Sequence, residues 1–234
     1  MSPRPPGTLT GVGVGPGDPG LLTVAGRAAI AAAAAVFAPR AADRTESMAA
    51  AVADRPVVEI PSPMRAGAGA AAGERYAQAI LPTLRAGGDA VFLTEGDPTL
   101  YSTWGHLAAA VRRRCPAVPL VTVPGVSAVA AAAAAAGLTL ATGDETVAVV
   151  PGSYVDADRV RLLLAQFTTV VILKVARALP WLRPLLAAEG RLEEAVYVRR
   201  AGTPAEEVAW GLRDLQAPDD YFACVIVRTG GRPR

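Results

Sequence analysis

Three segments of the sequence combine glycine with residues able to bind a ligand, and each follows a short apolar run. Residues 11–20 read GVGVGPGDPG, residues 94–102 read TEGDPTLYS, and residues 121–128 read VTVPGVSA. Glycine lets the backbone approach a ligand closely, and the start of a following helix offers unpaired N–H groups. These segments therefore predict a ligand site that is built largely from backbone turns at strand ends.

The first segment contains a G-x-G-x-x-G pattern over residues 15–20, and Asp43 follows about 20 residues later, as in dinucleotide-binding folds. Pro16 and Pro19 stiffen the loop at points that a pyrophosphate-binding turn usually leaves free. Asp43 also falls beyond the end of the second predicted strand. A nicotinamide cofactor is thus one interpretation of this segment, and a purely structural tight turn is another.

The second segment places Glu95 and Asp97 on either side of Gly96, at the carboxyl end of an apolar strand. Open α/β sheets bind their ligands at this edge. Asp97 could simply begin the next helix, but that role does not explain Glu95 or Tyr101. In the third segment the small side chains could admit an adenosine or could pack two lobes together.

The elements that must position these segments follow an α/β pattern, since short β-branched runs alternate with longer alanine- and leucine-rich stretches. We predict two α/β lobes with mainly parallel or mixed sheets, over residues 1–119 and 120–234. Predicted strands cover residues 9–14, 35–38, 57–60, 90–93 and 120–123, then 146–150, 170–173, 195–198 and 222–227.

Local signals also predict where helices begin and end. Asp18 is placed to cap a helix that starts at Pro19. An alanine-rich helix should end at Gly137, and residues 203–206, which read TPAE, resemble a capping box that opens another helix.

The composition argues against several classes of protein. A net charge of +2 gives little reason to expect nucleic-acid binding, and the arginines at 112–114 and 199–200 are interpreted mostly as solvated helix ends and rims. Cys115 and Cys224 lie far apart and outside a C-x-x-C spacing, so neither a disulfide framework nor a zinc site is expected. We expect no membrane span and no export signal in residues 1–7, hence a soluble, cytoplasmic protein.

Taken together, the three segments resemble the tetrapyrrole methylase family in order and spacing. The family patterns V-G-x-G-P-G-D-x-x-L-L-T, E-G-D-P and V-P-G-x-S are met by residues 12–23, 95–98 and 123–127. The resemblance implies a class III methyltransferase-like fold with S-adenosyl-L-methionine in a cleft between two lobes, S-adenosyl-L-homocysteine as the product, and a homodimer. Its finer features, such as residues 58–64 and the late residues 220–222, imply methylation at C20 of precorrin-2 or cobalt-factor II in cobalamin synthesis.

By the same resemblance, residues of both halves should contact the cofactor. In the three glycine segments, the implied contacts are Pro16, Glu95, Gly96, Asp97, Leu100, Tyr101, Ser127 and Ala128. Those implied in the second half are Lys174, Val175 and Ala201. Substrate carboxylates should be met by guanidinium groups near strand ends, for which Arg40, Arg65 and Arg177 are candidates. A solvated surface role is the alternative for each arginine, and no general base and no metal ligand is assigned.

The alternatives that remain open are a sibling enzyme acting at another ring position, a nicotinamide-dependent reductase, and a binding module that senses the cofactor. His106, the sole histidine, is expected on the surface of a helix rather than in catalysis. The aspartate that uroporphyrinogen III methyltransferases carry after the second strand is replaced here by Pro39, which disfavours that sibling.

Overall fold

The chain folds into two compact units, Met1–Ala128 and Val129–Arg234. The computed structural model describes residues 4–41, 47–62, 67–216 and 220–229. The division falls later than the boundary expected after residue 119, because the strand at Leu120–Val123 pairs with the first strand of the chain and so belongs to the first sheet.

The first unit is a parallel five-stranded sheet with helices in its connections, and its strand order is β3-β2-β4-β1-β5. The strands are β1 (Leu9–Gly13), β2 (Ala35–Ala41), β3 (Val58–Ser62), β4 (Ala90–Thr94) and β5 (Leu120–Val123). The helices are α1 (Val24–Ala32), α2 (Gly69–Arg85) and α3 (Trp104–Arg114), and α4 (Ala128–Ala135) leads into the second unit.

The second unit contains a mixed sheet, with strand order β6-β7-β10-β8-β9. Its strands are β6 (Val147–Pro151), β7 (Thr169–Leu173), β8 (Ala195–Arg199), β9 (Glu207–Trp210) and β10 (Ala223–Arg228), and its helices are α5 (Ala157–Gln166) and α6 (Leu179–Ala188). Among the described strands of this sheet, β6 and β7 pair in parallel, whereas β10 runs antiparallel to β7 and β8, and β9 runs antiparallel to β8. The predicted α/β class with parallel or mixed sheets is confirmed.

Each unit has its own apolar core, built on a strand whose residues are all buried. In β4 every residue is buried, as expected of a central parallel strand covered on both faces. From α2, Tyr76 and Ile80 present one helical face to this sheet, and the Tyr76 and Phe92 rings lie 5.0 Å apart. The corresponding strand of the second unit is β7, which is likewise fully buried.

Two local predictions are wrong. The first helix does not begin at Pro19, because Asp18 caps only a short 3-10 turn over Pro19–Leu21, and Thr23 then caps α1 by accepting from the Gly26 N–H. Residues 203–206 do not open a helix. They form a turn in which the Thr203 hydroxyl donates to the Arg200 carbonyl, and the chain continues as β9, paired antiparallel to β8.

The cysteines differ in accessibility, which predicts a measurable difference in reactivity. Burial in β10 raises the pKa of the Cys224 thiol to about 12, whereas Cys115 ends α3 and is partly exposed. Because the thiolate is the reactive form, a thiol reagent such as DTNB should label Cys115 of the folded protein quickly and Cys224 only on unfolding. In a Cys115→Ser variant the fast phase should vanish. Fast labelling that survives in this variant would contradict the burial of Cys224.

Within the described part of the chain, no helix is both long enough and apolar enough to cross a membrane.

Candidate functional site

The first two glycine segments meet directly at the carboxyl edge of the first sheet. After β1, the Val14 N–H donates to the Thr94 carbonyl at 2.9 Å, continuing the pairing of β1 with β4. Gly15 and Gly96 then form an isolated antiparallel bridge, with N···O distances of 3.3 and 2.7 Å. Backbone hydrogen bonds therefore join the turn after β1 directly to the turn after β4.

Asp97 joins the second segment to the third. One carboxylate oxygen accepts from the Gly125 N–H at 2.9 Å, and the other accepts from the Thr99 N–H at 2.8 Å and from the Thr99 hydroxyl. Burial by itself would raise the pKa of Asp97, but these hydrogen bonds outweigh it and hold the pKa below its ordinary value. The ionised Asp97 carboxylate thus links the turn after β4 to the turn after β5.

Glycine is required where these turns pack against each other. A Cβ on Gly125 would lie 2.4 Å from the Gly96 carbonyl oxygen and 2.7 Å from backbone atoms of Gly13. A Cβ on Gly13 would in turn lie 2.6 Å from the Gly96 oxygen. Since all of these neighbours are backbone atoms, they cannot move aside as a flexible side chain could. All three predicted segments therefore converge at one edge of the first unit.

The remaining predicted residues of this unit surround that junction. Gly96 and Tyr101 both have left-handed backbone, with φ of 66° and 52°, and Tyr101 is 45% exposed. A left-handed tyrosine is strained, and such residues are typical of functional turns. Pro16, Glu95, Leu100 and Ser127 are partly buried, and Ala128 is exposed at the start of α4.

In the second unit, the predicted residues lie where β7 and β8 end. Lys174 has a φ of 56°, and its Nζ lies 4.9 Å from the centre of the Tyr221 ring, a cation–π distance. Val175 is fully buried, and its N–H donates to the Ala223 carbonyl. Ala201 follows Arg200, whose φ is 49°. These strand ends are neighbours because β10 lies between β7 and β8.

The candidate substrate arginines are in three different situations. Arg40 lies in β2, and its Nε is 3.2 Å from the Glu59 carboxylate on β3, with about a quarter of each side chain exposed. Arg177 is exposed in the turn between β7 and α6. Arg65 lies outside the described residues, as does Asp43. His106 is exposed on α3, next to Gly69 of α2, as its surface role predicts.

Sequence reasoning missed the acidic residue that organises the second unit's strand ends. The Asp220 side chain is only 6% exposed and pairs with both Arg199 and Arg200. Burial alone would raise the pKa of Asp220, but hydrogen bonds from Arg200 and the Phe222 N–H lower it overall. The Arg199 guanidinium also pairs with Glu207 at 2.9 Å. The two adjacent arginines are thus structural partners of a buried carboxylate rather than rim residues.

The depressed pKa of Asp97 predicts a pH dependence of stability. A carboxyl group whose pKa is lower in the folded chain contributes stability above its unfolded value of about 3.9, and loses it as pH falls through the folded value. In urea unfolding, the stability difference between wild type and Asp97→Asn should therefore be largest at neutral pH and shrink on acidification towards about pH 3. If the difference in stability between the two proteins stayed constant over that range, the charge of Asp97 would not be what links the two turns.

Comparison with known proteins places these features in one family. A family model described as Tetrapyrrole (Corrin/Porphyrin) Methylases matches residues 8–216. Among solved structures, the uroporphyrin-III C-methyl transferase from Thermus thermophilus complexed with S-adenyl homocysteine has a TM-score of 0.71 and 25% identity, covering 95% of this chain and 98% of that one. The chain therefore belongs to the tetrapyrrole methylases, a family of methyltransferase enzymes.

Within the family, two similar proteins are named for methylation at the same position. The chain is 36% identical to a precorrin-2 C(20)-methyltransferase from Sinorhizobium sp, over 94% of this chain and 95% of that protein. It is 29% identical to a cobalt-precorrin-2 C(20)-methyltransferase from Salmonella typhimurium, over 94% of this chain and 96% of that protein. Both relatives are named for methylation at C20, and this chain spans nearly the whole of each.

Proposed function

We propose that this enzyme transfers a methyl group from S-adenosyl-L-methionine to C20 of precorrin-2, or of its cobalt-bearing form, in cobalamin synthesis. The observation that carries the proposal is the 36% identity to a named C(20)-methyltransferase over nearly the full length of both chains. The match to a tetrapyrrole methylase model over residues 8–216 supports a tetrapyrrole as the substrate class.

The strand-end turns suit a nucleotide-like methyl donor. S-adenosylmethionine supplies an electrophilic methyl group on a good neutral leaving group, so the protein needs to contribute alignment more than acid–base chemistry. Holding reactants in line is worth roughly 7–11 kcal/mol in well-oriented systems. The left-handed backbone of Gly96 and Tyr101 and the small residues at the start of α4 support a site at which the protein backbone can approach a ligand closely.

We assign the cofactor contacts accordingly, as part of the proposal. In the first unit they are Pro16, Glu95, Gly96, Asp97, Leu100, Tyr101, Ser127 and Ala128. In the second unit they are Lys174, Val175 and Ala201. Arg40 and Arg177 are proposed to meet substrate carboxylates, because a guanidinium can bind a carboxylate through two parallel hydrogen bonds. Arg65 is proposed for the same role from its sequence position alone.

Calorimetric titration separates this proposal from the reductase alternative. The protein should bind S-adenosylhomocysteine with measurable heat and give none with NADP. Heat only from the dinucleotide would overturn the methyltransferase assignment. A protein that binds S-adenosylhomocysteine tightly but turns over no tetrapyrrole would instead be a cofactor-sensing module.

The proposal extends to the assembly and location of the enzyme. We infer a homodimer in the cytoplasm, without nucleic-acid or membrane partners, and the near-balanced net charge of +2 agrees with the lack of a nucleic-acid partner. Light scattering coupled to size-exclusion chromatography should give twice the 23.9 kDa mass of one chain. A monomer mass would remove the dimer from the proposal without affecting the reaction.

A further inference from the structure

Two residues at the strand ends of the second unit have left-handed backbone, a conformation that is unfavourable for residues other than glycine. Lys174 after β7 has a φ of 56°, and Arg200 after β8 has a φ of 49°. The left-handed region brings the Cβ of an L-residue too close to its own carbonyl oxygen, so surrounding contacts must hold such residues in place. Neither residue is glycine, which would adopt this conformation without help.

A single segment, residues 220–223, contacts both of these left-handed positions. The Phe222 carbonyl accepts from the Arg200 N–H at 2.8 Å. On the other side, the Ala223 carbonyl accepts from the Val175 N–H at 3.1 Å, and the Tyr221 ring faces the Lys174 ammonium. The approach to β10 therefore fixes the residues that end both neighbouring strands.

Asp220 is the residue that fixes this segment in turn. One of its oxygens accepts from the Phe222 N–H at 3.0 Å, and the other accepts from Arg200 Nε and, at 3.4 Å, from an Arg199 terminal nitrogen. With the side chain 94% shielded from solvent, these bonds are poorly replaced by water. The same carboxylate thus binds the Arg200 side chain and the Phe222 N–H, and the Phe222 carbonyl in turn accepts from the Arg200 N–H.

We propose that Asp220 is a positioning residue, which holds Arg200 in its left-handed conformation and thereby sets the backbone of Ala201 for the methyl donor. This inference rests on the proposed function, since Ala201 is assigned to the cofactor there. Asp220 itself is not assigned a contact with the donor or with the tetrapyrrole. Its effect should appear in the affinity for the donor rather than in the chemical step.

The first test is Asp220→Asn, which keeps the shape of the side chain but removes its charge. The loss of a charge-assisted hydrogen bond predicts an S-adenosylhomocysteine Kd that is roughly tenfold weaker. The KM for S-adenosylmethionine should rise by a similar factor, while kcat at saturating donor changes little. The matched control is Glu207→Gln, because Glu207 pairs with the same Arg199 but from the outer strand β9. This control should leave the donor affinity unchanged.

A second pair of variants keeps the proposal testable if Asp220→Asn does not fold. Arg200→Ala and Arg200→Gly both remove the guanidinium that Asp220 grips, but only the glycine tolerates a φ of 49° without strain. The alanine variant should bind S-adenosylhomocysteine about tenfold more weakly, and the glycine variant should recover most of that loss.

The outcomes are separable from those of the proposed function. If wild type does not bind S-adenosylhomocysteine, the proposed function fails before Asp220 is tested. If wild type binds and Asp220→Asn binds equally well, the positioning role is overturned. Equal weakening in Arg200→Ala and Arg200→Gly would also overturn it, since backbone conformation would then not be what Arg200 contributes.

Discussion

Replacing Gly125 with alanine is expected to abolish S-adenosylhomocysteine binding and to lower the free energy of unfolding by about 3 kcal/mol or more. The added Cβ would lie 2.4 Å from the Gly96 carbonyl oxygen and 2.7 Å from backbone atoms of Gly13. Gly96 belongs to the turn after β4 and Gly13 is the last residue of β1, so relieving the clash must push the third segment away from the other two. Calorimetry with the ligand and urea unfolding measure the two effects.

The matched control for this variant is Gly105→Ala. Gly105 lies in α3, and a Cβ there meets nothing within 4 Å. Because alanine favours the helix, this variant should be more stable by about 0.5–1 kcal/mol and should bind the ligand normally. If Gly125→Ala behaved like Gly105→Ala, the close packing of the three turns would be disproved.

The second large effect is expected for Asp97→Asn, which should weaken S-adenosylhomocysteine binding roughly 10- to 100-fold. The two oxygens of Asp97 accept from N–H groups in different turns, at Gly125 and at Thr99. An asparagine amide has only one oxygen, so its NH₂ group must face one of these donors. One turn then loses its hydrogen bond to the side chain of residue 97, and the Gly125 or the Thr99 N–H loses its carboxylate acceptor. Stability at neutral pH should fall by about 2 kcal/mol.

Asp89→Asn provides the comparison at the opposite end of the same sheet. Asp89 precedes β4, and its carboxylate accepts from the Thr8 N–H just before β1, at 2.7 Å. The type of bond is the same, but it joins the amino ends of the strands, away from the junction of the three turns. This variant should therefore bind S-adenosylhomocysteine as wild type does. Equal weakening in both variants would mean that Asp97 acts only through general stability.

Much of the fold could be predicted from the sequence because strand signals here are local and strong. The apolar runs predicted β4 and β7 to within a residue, and Gly137, with a φ of 61°, follows the alanine-rich helix as its composition indicates. The helix predicted at residues 203–206 is wrong because Thr203 lies in the loop that joins β8 to β9. The pairing of these two strands is a tertiary feature that a capping pattern in the sequence cannot reveal.

The convergence of the three glycine segments followed from strand order, since the turns after neighbouring parallel strands share one edge of the sheet. Which atoms make the junction could not be predicted. The bond from Gly125 to Asp97 joins residues 28 positions apart, and its existence depends on β5 lying beside β1. Asp220 was equally hidden, because nothing in its local sequence shows that a carboxylate is buried between two arginines.

Methylation at C20 can be tested by locating the new methyl group on the product. Purified enzyme is incubated with S-adenosylmethionine carrying a ¹³C-labelled methyl group and with either precorrin-2 or its cobalt form, and the product is examined by NMR. We expect a single labelled methyl group, attached at C20, from at least one of the two substrates. A labelled methyl at any other ring carbon would contradict the assignment, while leaving the enzyme among the tetrapyrrole methylases.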